Sequence, residues 1–198
     1  MKLDAIINQM KEELDSKDKR REEAFSVSRD IRRLSTKAVR EIHKKDFERA
    51  KKLIDEAASL LSHLNSGDMD FRFMQESLQE YSEAAIVYAL LNKEDPPSFT
   101  ELNVPPEHYA LGLGDVIGEL RKYILDAIRM ERYDDVDYFL ELMDEISHEI
   151  MSLDYPSAIV PIRRKQDAAR ILLEKTWGDA TMALSQAKLG KKIDGLDL

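Results

Sequence analysis

From about Leu3 to His43 the chain carries no turn signal, while Ala24, Val27, Ile31, Leu34, Ala38 and Ile42 recur at steps of three and four. That repeat is one face of a helix. About forty helical residues span roughly 60 Å, more than a domain of this size needs. Such a helix has to be covered by several others, or by partner subunits. No segment further along reads as a strand, so the feature commits the chain to an all-α fold.

The remaining helices follow from turn chemistry. One runs from about Asp46, as its cap, to Leu64, and is stopped by Asn65-Ser66-Gly67. A third covers about Asp70 to Asn92, with Met74, Leu78, Tyr81, Ala85 and Tyr88 toward the core. Pro96-Pro97 and Pro105-Pro106 bracket a connector that cannot be continuous helix. Helices follow from Glu107 to about Arg132, from about Asp134 to Leu153, and from near Ile162 to about Leu189, before Gly190. The expectation is one domain over residues 1–198, an antiparallel helical bundle of about six to seven helices.

Composition sets the outer limits. The chain has no cysteine, which excludes disulfides, thiolate metal sites and cysteine nucleophiles. No apolar run reaches the ~18 residues of a membrane span, and the amino terminus has no secretory pattern. A cytoplasmic protein without membrane contact fits. The net charge of -9 hides an asymmetry: residues 17–52 hold fourteen of the 30 Lys and Arg against seven acids. A basic segment in an acidic chain keeps polyanion binding in play.

Two acid clusters sit at helical spacing. Glu80 and Glu83 lie in Leu78-Gln79-Glu80-Tyr81-Ser82-Glu83-Ala84, with Glu76 extending their stripe. Asp115 and Glu119 lie in Leu111-Gly112-Leu113-Gly114-Asp115-Val116-Ile117-Gly118-Glu119-Leu120, which holds three of the seven glycines. Glycine inside a helix costs roughly 0.5–1 kcal/mol against alanine, so three together indicate a close approach beside the acids. Acids at this spacing are common here; Asp137/Glu141 and Glu145/Glu149 read as a solvated face. If the two stripes face each other, the carboxylates repel unless a cation neutralises them. Hard oxygen donors favour Mg²⁺ or Mn²⁺, and the chemistry is hydrolysis at phosphorus. A di-iron site fails, because Glu145-Ile-Ser-His148 is the one Glu-x-x-His match. The all-helical nucleotide pyrophosphohydrolases use Glu-x-x-Glu followed by Glu-x-x-Asp; here the second half is reversed and one residue longer. His43, His63 and His108 read as surface or helix-end residues, and Trp177 and Tyr88 as core.

Arg29, Arg33, Lys37, Arg40 and Lys44 share a helix face opposite the apolar stripe, with few acids interleaved. A solvated face is the plain reading; contact with a phosphate backbone is the functional one. Arg163-Arg164-Lys165 opens the last helix, where exposed amides also favour anions.

The chain resembles the translin superfamily, in particular the translin-associated factor X branch, in a compact prokaryotic or archaeal form. Asp18-Lys19-Arg20-Arg21-Glu22 leading to Ser28-Arg29-Asp30-Ile31 carries the resemblance, with the two acid blocks, the second taken from Tyr109 to Leu120. A fainter echo runs from Lys165 through Glu174 to Ala183-Leu184. The resemblance implies a Mg²⁺-dependent endoribonuclease acting on single-stranded RNA within an octameric shell. Glu80, Glu83 and Asp115 stand at the catalytic and metal-binding positions, with Glu119 a fourth ligand. Arg29, Arg33, Lys37, Arg40 and Lys165 would hold the nucleic acid, and DNA or short duplex RNA are further candidate partners. The chain is shorter than eukaryotic members, lacking much of the connector after the third helix and the carboxy-terminal extension.

Three functional expectations follow: a nuclease, a non-catalytic RNA- or DNA-binding scaffold like translin, and a nucleotide pyrophosphohydrolase. Assembly is expected to be a closed homo-octamer. The long first helix, and apolar residues such as Ile86, Phe99, Phe139 and Ile159, call for cover.

Overall fold

The computed structural model describes residues 2–64 and 73–194. They form six helices and no strand: α1 (Lys2–His43), α2 (Phe47–Leu64), α3 (Gln75–Leu91), α4 (Pro106–Arg129), α5 (Tyr133–Met151) and α6 (Arg163–Asp194). The all-α expectation holds. The chain divides into two compact units, Met1–Tyr109 and Ala110–Leu198.

In the first unit, α1 packs on α2 and α3, and α2 on α3. Ile31, Leu34 and Ala38 of α1 meet Ile54, Ala57 and Leu61 of α2 and Met74, Leu78 and Tyr81 of α3 in one core. The spacing of α1 thus buries as its periodicity requires, but only from Ala24 onward. Residues 3–23 are exposed throughout, Leu3, Ile7, Met10 and Leu14 among them. Asp46 caps α2: its carboxylate accepts the Arg49 backbone N–H at 3.0 Å, worth about 1 kcal/mol. The expected stop at Asn65-Ser66-Gly67 and the start of α3 at Asp70 lie outside the described residues. Burial around α3 extends well beyond one face, taking in Ile86 and Val87 as well as Leu78 and Tyr81. The connector is tied down by Leu102 and Val104 in the core and by the Tyr109 hydroxyl, which donates to the Pro97 carbonyl at 2.9 Å.

In the second unit, α5 packs on α6. Val136, Phe139, Leu140 and Met143 of α5 are buried, and the Phe139 ring meets Tyr123 of α4 edge-on at 4.6 Å. The Gln166 amide of α6 donates to the carbonyls of Ile150 and Leu153 at 3.0 and 2.9 Å, satisfying the end of α5.

Several expectations need correction. Three helix ends share one turn: after α1, α3 and α4, Lys45, Lys93 and Glu131 adopt φ of 64°, 60° and 56°. In each, the next residue's N–H reaches back five residues, as from Asp46 to the Glu41 carbonyl at 3.0 Å. This left-handed cap usually takes glycine; without it the sequence places the end of α4 three residues late. Conversely α6 runs through Gly190. His108 lies at a helix end as expected, in the first turn of α4, but is buried there, whereas Trp177 is 44% exposed, not core. Ile86 and Phe139 are fully buried within the chain, while Phe99 and Ile159 are exposed.

Candidate functional site

The acids divide between the units, Glu80 and Glu83 on α3 in the first and Asp115 and Glu119 on α4 in the second. On α3, Glu76, Glu80 and Glu83 are three and four residues apart and share one helix flank. Glu76 is exposed, and Glu80 and Glu83 are half-buried.

Glu80 is held from α1. Its Oε1 accepts Arg32 Nε at 2.7 Å and its Oε2 accepts the Thr36 hydroxyl at 2.6 Å. Arg32 also donates to Glu76 Oε2 at 2.8 Å, and the two carboxylates push its guanidinium pKa further up, Glu80 most strongly. The Ser28 hydroxyl donates to Ser77 at 2.9 Å on the same seam. Sequence reading missed Arg32 and Thr36. They lie one step aside from the basic row, and their partners are 48 and 44 residues away.

Asp115 is held from α6 by the ammonium of Lys165, a residue expected to bind nucleic acid. Glu119, almost wholly buried, takes its cation from its own helix, with Lys122 Nζ at 2.5 Å. An ionised carboxylate so placed needs this compensation. Arg121, which sequence reading also passed over, reaches Thr176 at 2.8 Å and Asp179 at 2.9 Å on α6.

The basic row of α1 and the turn after it is exposed at every position: Arg29, Arg33, Lys37, Arg40 and, in the turn, Lys44. Arg33 pairs with Asp30 at 2.9 Å and Lys44 with Glu41 at 3.0 Å, so intrahelical pairing is more extensive than the sequence implied. Arg29, Lys37 and Arg40 form no ion pair with any described residue. Arg21, on the flank toward α3, lies over the Phe25 and Phe73 rings at 5.2 and 5.8 Å.

The four candidate ligands are all carboxylates, a donor set suited to Mg²⁺ or Mn²⁺. Glu80 retains acceptor capacity on each oxygen after Arg32 and Thr36 are served. Within neither unit do the described residues gather three carboxylate or histidine groups into a metal-holding cluster.

No protein-family model matches the chain. It is 34% identical over 185 residues to the uncharacterized protein MJ0175 of Methanocaldococcus jannaschii, covering 91% of this chain and 83% of that protein. Among solved structures it is similar to AfC3PO in complex with duplex RNA, with a TM-score of 0.83 and 27% identity over 91% of this chain and 97% of the other. AfC3PO by itself gives 0.82 and 28%, over 94% and 98%. Apo-NeC3PO gives 0.79 at 21% identity, over 89% and 96%, a likeness of fold. No described helix is long and apolar enough to cross a membrane.

Proposed function

Since the chain belongs to one family with MJ0175 of M. jannaschii and is homologous to the translin-family C3PO proteins, we propose that it binds RNA and cleaves it as a Mg²⁺-dependent endoribonuclease. The observation that carries the binding half is the exposed row of α1, where Arg29, Lys37 and Arg40 have no acidic partner among the described residues. Cations spaced along about three helical turns suit successive phosphates, and such contacts position a strand with little reading of its sequence. AfC3PO is known in complex with duplex RNA, so both single-stranded and duplex RNA are candidate substrates here.

For cleavage, Glu80, Glu83 and Asp115 are the proposed ligands, with Glu119 a fourth, as in the factor X branch. A bound Mg²⁺ or Mn²⁺ would polarise the phosphoryl group and lower the pKa of the attacking water. The protein's own contribution is charge balance: Arg32 pairs with Glu80, and Lys165 and Lys122 with Asp115 and Glu119. Assembly into a closed homo-octamer is part of the same reading. Its support is the apolar row Leu3, Ile7, Met10 and Leu14, exposed on the first turns of α1.

One observation favours the non-catalytic, translin-like alternative: Glu80, Asp115 and Glu119 already have basic partners. One experiment separates the readings. Purified protein is incubated with labelled single-stranded RNA, duplex RNA or nucleoside triphosphates, with Mg²⁺ or with chelator. Metal-dependent cutting of RNA supports the nuclease. Chelator-insensitive binding without cutting establishes the scaffold, and turnover of triphosphates alone establishes a pyrophosphohydrolase.

A further inference from the structure

The seam between α1 and α3 holds Glu80 by both oxygens, and neither donor comes from its own helix. We propose that Arg32 and Thr36 are positioning residues for Glu80, fixing the direction in which it presents its remaining lone pairs. The inference rests on the reading of Glu80 as a metal-binding carboxylate.

Three observations carry it. An ordinary glutamate samples many rotamers and loses up to ~2 kcal/mol of entropy when ordered; here two donors restrict it before any ligand arrives. The Thr36 hydroxyl has one proton and two acceptors near it, Glu80 Oε2 at 2.6 Å and the Arg32 carbonyl at 2.9 Å. The shorter, charge-assisted contact takes the proton. Finally, Arg32 also pairs with Glu76 across the same two helices, with side chains 55% and 76% exposed, whereas the one side-chain partner of the Thr36 hydroxyl on α3 is Glu80 itself. Ligating carboxylates are commonly oriented by hydrogen bonds of this kind, and losing one costs about 10–100-fold in metal affinity or activity.

Thr36→Val removes the hydroxyl at almost the same shape, and Thr36→Ser retains it. Arg32→Met and Arg32→Lys make a second pair. Mn²⁺ binding is followed by electron paramagnetic resonance in the absence of RNA, beside RNA affinity in chelator and the Mg²⁺ dependence of cleavage. Thr36→Val is expected to raise the Mn²⁺ concentration for half-saturation by about 10–100-fold, with RNA affinity and helical content unchanged and Thr36→Ser near wild type. In the Glu80→Gln background Thr36→Val should add no further loss, because the hydroxyl acts through Glu80. If Glu80→Gln loses Mn²⁺ while Thr36→Val binds it as wild type does, the positioning role is overturned and Glu80 stands as a ligand. If Glu80→Gln binds Mn²⁺ as wild type does, the ligand reading falls, and this inference with it.

Discussion

A Cβ placed on Gly114 would stand 2.7 Å from the Lys165 Cβ and 2.9 Å from its Cγ. The stem of Lys165 therefore lies against bare α4 backbone, and its ammonium reaches the next residue, Asp115. Within the glycine-rich acid block Gly114 marks a close approach, and the approaching group is a lysine. Gly114→Ala should destabilise the protein by about 1–3 kcal/mol, because the clash is with the rigid base of a side chain. Gly118 has nothing within 4 Å of its virtual Cβ, so Gly118→Ala should be neutral or stabilising by up to ~1 kcal/mol. Urea denaturation of both variants tests the contrast; equal effects would reject the packing argument.

Glu80→Gln and Asp115→Asn each remove a charge at little change in size. Circular dichroism should show intact helices, while Mg²⁺-dependent RNA cleavage falls by orders of magnitude. Full activity in either variant removes that residue from the proposed ligand set.

Arg29, Lys37 and Arg40 bear exposed charges without acidic partners among the described residues, whereas Arg33 is tied to Asp30. Each alanine substitution in the first group should reduce the slope of log K against log salt by ~0.9 on duplex RNA, by analogy with duplex DNA, or ~0.7 on single strands. Arg33→Ala should have a smaller effect. An unchanged slope in the Arg29/Lys37/Arg40 triple variant would mean that the row is a solvated face.

Met10 and Leu14 are 52% and 58% exposed, so replacing both with glutamate removes no packing within one chain. Far-ultraviolet circular dichroism should be preserved, while light scattering reports particles smaller than the proposed octamer of 22.8 kDa chains. An octamer that survives the double substitution would assign assembly to other surfaces.

Burial, with a smaller contribution from the Asp55 charge, pushes the Tyr81 pKa up to about 12. The unfolded chain loses the phenolic proton near pH 10, where the folded protein still holds it. Fewer protons on the unfolded state make stability fall as pH rises. The loss begins near pH 10 and is complete near pH 12, amounting to about 2–3 kcal/mol. Stability measured from pH 9 to 11 should show this slope, and Tyr81→Phe should flatten it.

Local periodicity made much of the fold legible. The stripe of α1, the Asp46 cap and the proline-bounded connector are statements about neighbours three or four residues apart, and helix geometry fixes those distances in advance. The end of α4 was less legible, because Glu131 took a conformation that glycine usually marks. Spacing and the resemblance made Glu80, Glu83, Asp115 and Glu119 candidates, but did not reveal the groups that meet Glu80, Asp115 and Glu119. Arg32 reaches Glu80 across 48 residues and Lys165 reaches Asp115 across 50. Such pairings depend on the rotation and register of one helix against another, set by the packing of a whole core. The sequence by itself determined an all-helical chain with a basic face and two acid pairs. The tertiary structure decided which cations the acids would meet, which residues of the basic row would have no acidic partner among the described residues, and that Gly114 is the gap through which Lys165 approaches.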